Sequence, residues 1–380
     1  NQHTDPVRMH ARREFERIRA VGQYSFHHAV DASCSESESK SAVDTRETIL
    51  NASFLLSPVS VSVDVLRWVP RQNAYRAMLF RPATGVRGGF LDEASLVLNA
   101  LDQADVPVAA VELYFLDKTY KRSDVLDRNA LFKESNLTKR ARKRSEHVLR
   151  ELKDLSAFLG GTGIDQAYSC KQKCRVCVPR PPQSQFSVFT LHKGADIARE
   201  LSADGVVDVR DIPPDQELTE KQRIQLLSLQ SGETQVDCRE LGAFLDRLEY
   251  PLCFLDFEAY APAIPPIQDL TPYEHTPVVA SIHACINESE EATHDLFVVT
   301  PGHDERKELF WWLADRLGTH GSIVVFSAPF EAAMIRQLAR FAGDETAAEA
   351  LIGRIVDLYQ PFRDFALYHP NQLGKVSLKR

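Results

Sequence analysis

Leu252-Cys-Phe-Leu-Asp-Phe-Glu258 reads as an apolar strand that ends in two acids. Side chains alternate between the faces of a strand, so Asp256 and Glu258 point the same way. Two carboxylates on one face repel each other unless a cation lies between them, and Mg2+ or Mn2+ prefers such oxygen ligands. A pair of ions about 4 Å apart can hold both the attacking and the leaving oxygen of a phosphodiester. A strand end facing water explains the same pair without any chemistry.

Downstream, two further apolar runs, 277–286 and 296–299, read as strands across turn-forming stretches. A helix over 304–317, a strand over 322–326 and a helix over 329–341 follow. Strands and helices in this alternation place the segment in the α/β class. The fourth strand runs into Ser327-Ala-Pro-Phe-Glu331, which sets another acid at a helix start, where the helix dipole favours it. Asp256, Glu258 and Glu331 are therefore the candidate catalytic and metal-binding residues. Each taken alone is also an ordinary surface or helix-start acid.

Upstream, a helix is expected over about 8–20 and a Ser/Glu-rich loop over 34–45. Strands at 49–56, 59–68 and 75–80, a helix at 91–101 and a strand at 108–116 form a second α/β or α+β unit. Apolar residues at helical spacing continue through Val148, Leu152, Leu155 and Leu159 and stop at Gly160-Gly161. The Pro-rich stretch after Pro179 marks a boundary, and 186–248 reads as helices. The expected organisation is 1–180, a helical connector at 181–248, and 249–380.

The 380 residues exceed what one core usually supports, which fits more than one domain. Both ends read as cut, so the chain is expected to be a fragment. No apolar run reaches the roughly 20 residues of a membrane helix and no secretion signal opens the chain, so a cytoplasmic location is expected. A net charge of −8 supplies no global attraction for polyanions. The densest local basic run, Lys139-Arg-Ala-Arg-Lys-Arg144, either meets phosphates or is a solvated helix start.

The seven cysteines form an odd set, which argues against a disulfide framework. Cys170, Cys174 and Cys177 have metal-ligand spacing, suited to zinc or an iron–sulfur cluster, with reduced unligated thiols as the alternative. Cys238, Cys253 and Cys285 are expected at apolar positions, and His283, on an apolar strand, in the core.

Tyr250-Pro-Leu-Cys-Phe-Leu-Asp-Phe-Glu-Ala-Tyr-Ala-Pro-Ala-Ile-Pro-Pro266, with Pro272-Tyr273, Ser281-Ile-His283, Gly321–Glu331 and Val356-Asp-Leu358, resembles an uncharacterised bacterial domain-of-unknown-function family. Its C-terminal domain is similar to DEDD-type, ribonuclease-H-like 3′–5′ exonucleases, and its N-terminal part to RecB-like nucleases of the Cas4-like type. The resemblance implies that Asp256 and Glu258 match the first exonuclease motif and Glu331 the second, where many relatives have Asp. The last acid of such sites would lie beyond this chain, and Asp357 follows Glu331 too soon to be it. In the N-terminal part Asp64 matches the first nuclease acid, but Leu79 and Arg81 stand where Glu and Lys are expected. An apolar residue cannot ligate magnesium, so that site should be inactive. The resemblance also implies a 4Fe–4S cluster at Cys170, Cys174 and Cys177, with a fourth cysteine near the N-terminus or Cys34 as its substitute. The expected function is Mg2+- or Mn2+-dependent processing of DNA or RNA. The rival is a non-catalytic nucleic-acid-binding or scaffold protein with a cysteine-bound metal.

Overall fold

The computed structural model describes residues 6–26, 28–32, 35–160 and 186–377. The chain divides into two compact units, one of Asn1–Cys170 with Ala261–His275, the other of Lys171–Tyr260 with Thr276–Arg380. Among the described residues no helix is long and apolar enough to cross a membrane.

The first unit contains α1 (Pro6–Gln23), β1 (Val30–Asp31), α2 (Glu36–Asp44), β2 (Ile49–Leu56), β3 (Val59–Val69), β4 (Ala74–Arg81), α3 (Gly88–Gln103), β5 (Val108–Leu116), α4 (Arg128–Leu131), β6 (Phe132–Asn136), α5 (Thr138–Arg142) and α6 (Ser145–Leu159). Its six strands lie in sequence order in one sheet. β2, β3 and β4 run antiparallel, whereas β4 and β5 are parallel and need the α3 crossover between them. One core cluster joins Phe54, Leu66, Leu79 and Leu113 to Leu98 and Leu101 of α3. Another joins Ile18 of α1, Val65, Met78 and Phe80 to Ala263 and Ile264. The Ala261-Pro-Ala-Ile264 stretch, which reads as a turn after the acidic strand, is thus core of the first unit.

The Ser/Glu-rich segment expected as a loop is α2. Ser35 caps it by accepting from the Glu38 N–H, and Glu36 and Glu38 lie in its first turn, where the dipole favours acids. Ser39 is fully buried, and its Oγ accepts the Ser53 N–H at 2.9 Å, which ties the helix to β2. Polar composition concealed a helix whose small residues face the sheet.

The second unit contains α7 (Ala195–Ala203), α8 (Glu220–Ser231), β7 (Gln235–Val236), α9 (Cys238–Leu245), β8 (Leu252–Tyr260), β9 (Thr276–Cys285), β10 (Thr293–Val298), α10 (Arg306–Leu317), β11 (Ser322–Val325), α11 (Ala328–Ala342), α12 (Glu345–Ile352), β12 (Ile355–Asp357), α13 (Tyr359–Asp364) and β13 (Leu367–Tyr368). The segment expected as a connector carries α7 to α9, and its β7 pairs antiparallel with β13. The main sheet has the order β10-β9-β8-β11-β12. β8, β9 and β10 form an antiparallel meander, and β11 and β12 add in parallel beside β8. Gly321 has φ +82°, and a Cβ there would lie 2.2 Å from the Pro251 carbonyl oxygen, so only glycine lets β11 enter beside β8.

Candidate active site

Alternation along β8 buries Cys253, Leu255 and Phe257 in a core shared with Leu309, Leu313 and Ile335. Phe254, Asp256 and Glu258 are left on the opposite, exposed face, as the spacing implies. Glu331 lies in the first turn of α11 and is only 3% exposed. Its Oε2 has no hydrogen-bond partner. Burial, and after it the charge of Asp256, pushes the Glu331 pKa from 4.5 up to about 8. A buried carboxyl with an orphaned oxygen beside a second carboxylate takes up either a proton or a cation. Hard oxygen donors of this kind fit Mg2+ or Mn2+. Among the described residues no three His, Cys, Asp or Glu side chains group closely enough to hold a metal ion. Asp256 and Glu331 are thus brought within electrostatic reach, and Glu258 does not close a cage with them.

Asp357 ends β12 and turns its carboxylate to backbone. Oδ1 accepts the N–H groups of Ser327 and Tyr359 at 3.0 Å each, and Oδ2 accepts that of Ala328 at 3.1 Å.

His283 is not a core residue. The register pairs Asp256 with Ser281, Phe254 with His283, and His283 with His294, all on the exposed side. The two imidazoles stack with centroids 4.1 Å apart and planes within 9°, and His294 Nε2 lies 3.0 Å from Ser281 Oγ. Only the pairing of three strands reveals this surface, because the two histidines lie on different strands, eleven positions apart in the chain.

In the first unit the ladder between β3 and β4 ends at Val65–Met78. Beyond it the Asp64 carboxylate accepts the Phe80 N–H at 2.7 Å. Arg81 Nη1 donates to Asp64 Oδ2 at 2.6 Å, and Nε lies 3.0 Å from both carboxylate oxygens of Glu93. Asp64 and Arg81 are 4% and 7% exposed, and Leu79 is fully buried. Burial lowers the pKa of Arg81, but Glu93 and Asp64 more than reverse this, so the guanidinium stays charged. A fixed cation therefore sits between two acids. Glu93, on α3, is a partner that the reading of β3 and β4 alone passes over.

The basic run at 139–144 spends Arg142 on Asp102 and Arg144 on Asp92, both partly exposed pairs. Cys253 is buried and Cys285 half-buried, but Cys238, expected at an apolar position, is exposed at the start of α9. Cys34, Cys170, Cys174 and Cys177 lie outside the described residues.

Residues 253–377 match a family described as a domain of unknown function (DUF2779). No curated protein matches the chain, and no solved structure does.

Proposed function

We propose that the second unit is a ribonuclease-H-like, metal-dependent 3′–5′ exonuclease domain acting on DNA or RNA. The observation that carries this is Glu331, a buried acid with an unpartnered oxygen, set at a helix start beside Asp256 on the central strand. The sheet order supports it. Counted from β8, the strands lie 3-2-1-4-5 with the second antiparallel, the arrangement of ribonuclease-H-like domains, and the acids lie on strand 1 and after strand 4. Asp256 and Glu331, with Glu258 on the same strand face, would hold Mg2+ or Mn2+. When bound, such an ion lowers the pKa of water and stabilises charge on the phosphodiester oxygens. The exposed Phe254, His283 and His294 offer ring faces on which the bases of a strand can stack. In the first unit Arg81 stands where a RecB-like nuclease has its catalytic lysine, between acids that would otherwise take a metal, which supports reading that unit as an inactive nuclease fold.

With Mn2+ supplied, the protein should shorten end-labelled oligonucleotides stepwise. An Asp256→Ala/Glu258→Ala variant should lose at least about 100-fold in rate, the scale for removing a charge-stabilising group. No digestion by either protein, with oligonucleotide binding retained, would favour the scaffold reading. His283→Ala/His294→Ala should weaken single-strand binding by about 1–3 kcal/mol, the worth of one stacked base. Fluorescence anisotropy in EDTA measures this, and unchanged affinity would remove the ring faces from the argument.

A further inference from the structure

We infer that Asp357 is a positioning residue for the candidate active site, holding in place the helix start that carries Glu331 and not itself ligating a cation. This rests on the metal-dependent reading above.

The first turn of a helix exposes N–H groups that need acceptors. Ser327 stands at the N-cap of α11, but its side chain makes no capping hydrogen bond. It also has φ +110°, a backbone conformation that side-chain-bearing residues rarely adopt and that persists only when the surroundings impose it. The imposing group comes from the neighbouring strand. β12 pairs with β11 so that Asp357 lies beside Val325, and its carboxylate takes the N–H groups of Ser327 and Ala328 at 3.0 and 3.1 Å. The same carboxylate accepts the Tyr359 N–H, and the Tyr359 ring packs edge-on against Phe326 at 5.3 Å. Both oxygens of Asp357 are thus directed to backbone. Ser327 O in turn accepts the N–H of Glu331 at 3.4 Å, so the residue that Asp357 holds also begins the turn on which Glu331 stands. Asparagine at 357 would keep one acceptor oxygen and replace the other with a donor facing an N–H.

The test compares the wild-type chain, Asp357→Asn, and Ser327→Gly/Asp357→Asn by amide hydrogen exchange and by Mn2+ titration followed by electron paramagnetic resonance. Asp357→Asn should speed exchange at Ser327 and Ala328 and weaken Mn2+ binding at least tenfold. Glycine takes φ +110° without strain, so the double variant should recover most of the affinity. Unchanged Mn2+ affinity in Asp357→Asn, despite faster exchange, would overturn the positioning role. Binding lost equally in both variants would overturn it the other way, making Asp357 a ligand. A wild-type chain that binds no Mn2+ yet keeps slow exchange at Ser327 and Ala328 would instead sink the exonuclease reading and leave the clamp standing.

Discussion

Arg81→Met is expected to destabilise the first unit by about 3–5 kcal/mol, the cost of leaving a buried charge without its partner. Asp64 is the group left behind. It is 4% exposed, and after the exchange its carboxylate would keep the Phe80 N–H and lose the Arg81 guanidinium. Glu93 is less affected, because its side chain is 33% exposed and water can replace the guanidinium. Adding Asp64→Asn should recover most of the loss, since a neutral amide still accepts the Phe80 N–H and buried ion pairs often exchange for neutral groups at little cost. With two units in the chain, global denaturation is not a two-state readout, so hydrogen exchange across β3 and β4 is the measurement. A loss below about 1 kcal/mol would mean that Asp64 is hydrated and that the guanidinium does not stand in for a metal.

Glu331→Gln should change the pH dependence of the metal-free protein. The folded-state pKa of Glu331 is raised to about 8 from 4.5, so between these values the folded chain holds a proton that the unfolded chain has released. Stability is therefore fully present below about pH 4.5 and falls as pH rises towards 8, by up to about 1.4 kcal/mol per pH unit. Glutamine keeps the shape without titrating. In EDTA the variant should match wild type near pH 5 and exceed it near pH 8 by about 2–4 kcal/mol. Mn2+ should close the gap by stabilising wild type alone, since a cation substitutes for the proton. Hydrogen exchange across β8 and α11 reads this, and equal protection in the two proteins at both pH values would show that Glu331 is not a buried, proton-holding acid.

Local pattern made much of this protein legible. The two-residue alternation of Leu252–Glu258 placed both acids on one face, and apolar periodicity located β2 to β5, α6 and α11, because each depends only on neighbours a few residues away. Where local composition misled, a nearby packing surface had taken over. The Ser/Glu-rich segment is helical because Ser35 caps it and Ser39 bonds to β2. His283 faces outward because its register with Phe254 and His294 assigns the face.

Residue order alone shows which residues alternate, which begin helices, that Asp256 and Glu258 share a strand face, and that Glu331 is an acid at a helix start. Tertiary structure alone decided what those acids became. β11 enters beside β8 at Gly321 and so brings Glu331 to Asp256, where burial changes its charge. The β12 pairing carries Asp357 to the start of α11 and commits its carboxylate to backbone. α3 delivers Glu93 to Arg81, which becomes a buried cation between two acids. Strand and helix periods are properties of adjacent residues, whereas charge state and hydrogen-bond partners depend on desolvation and distance between segments far apart along the chain.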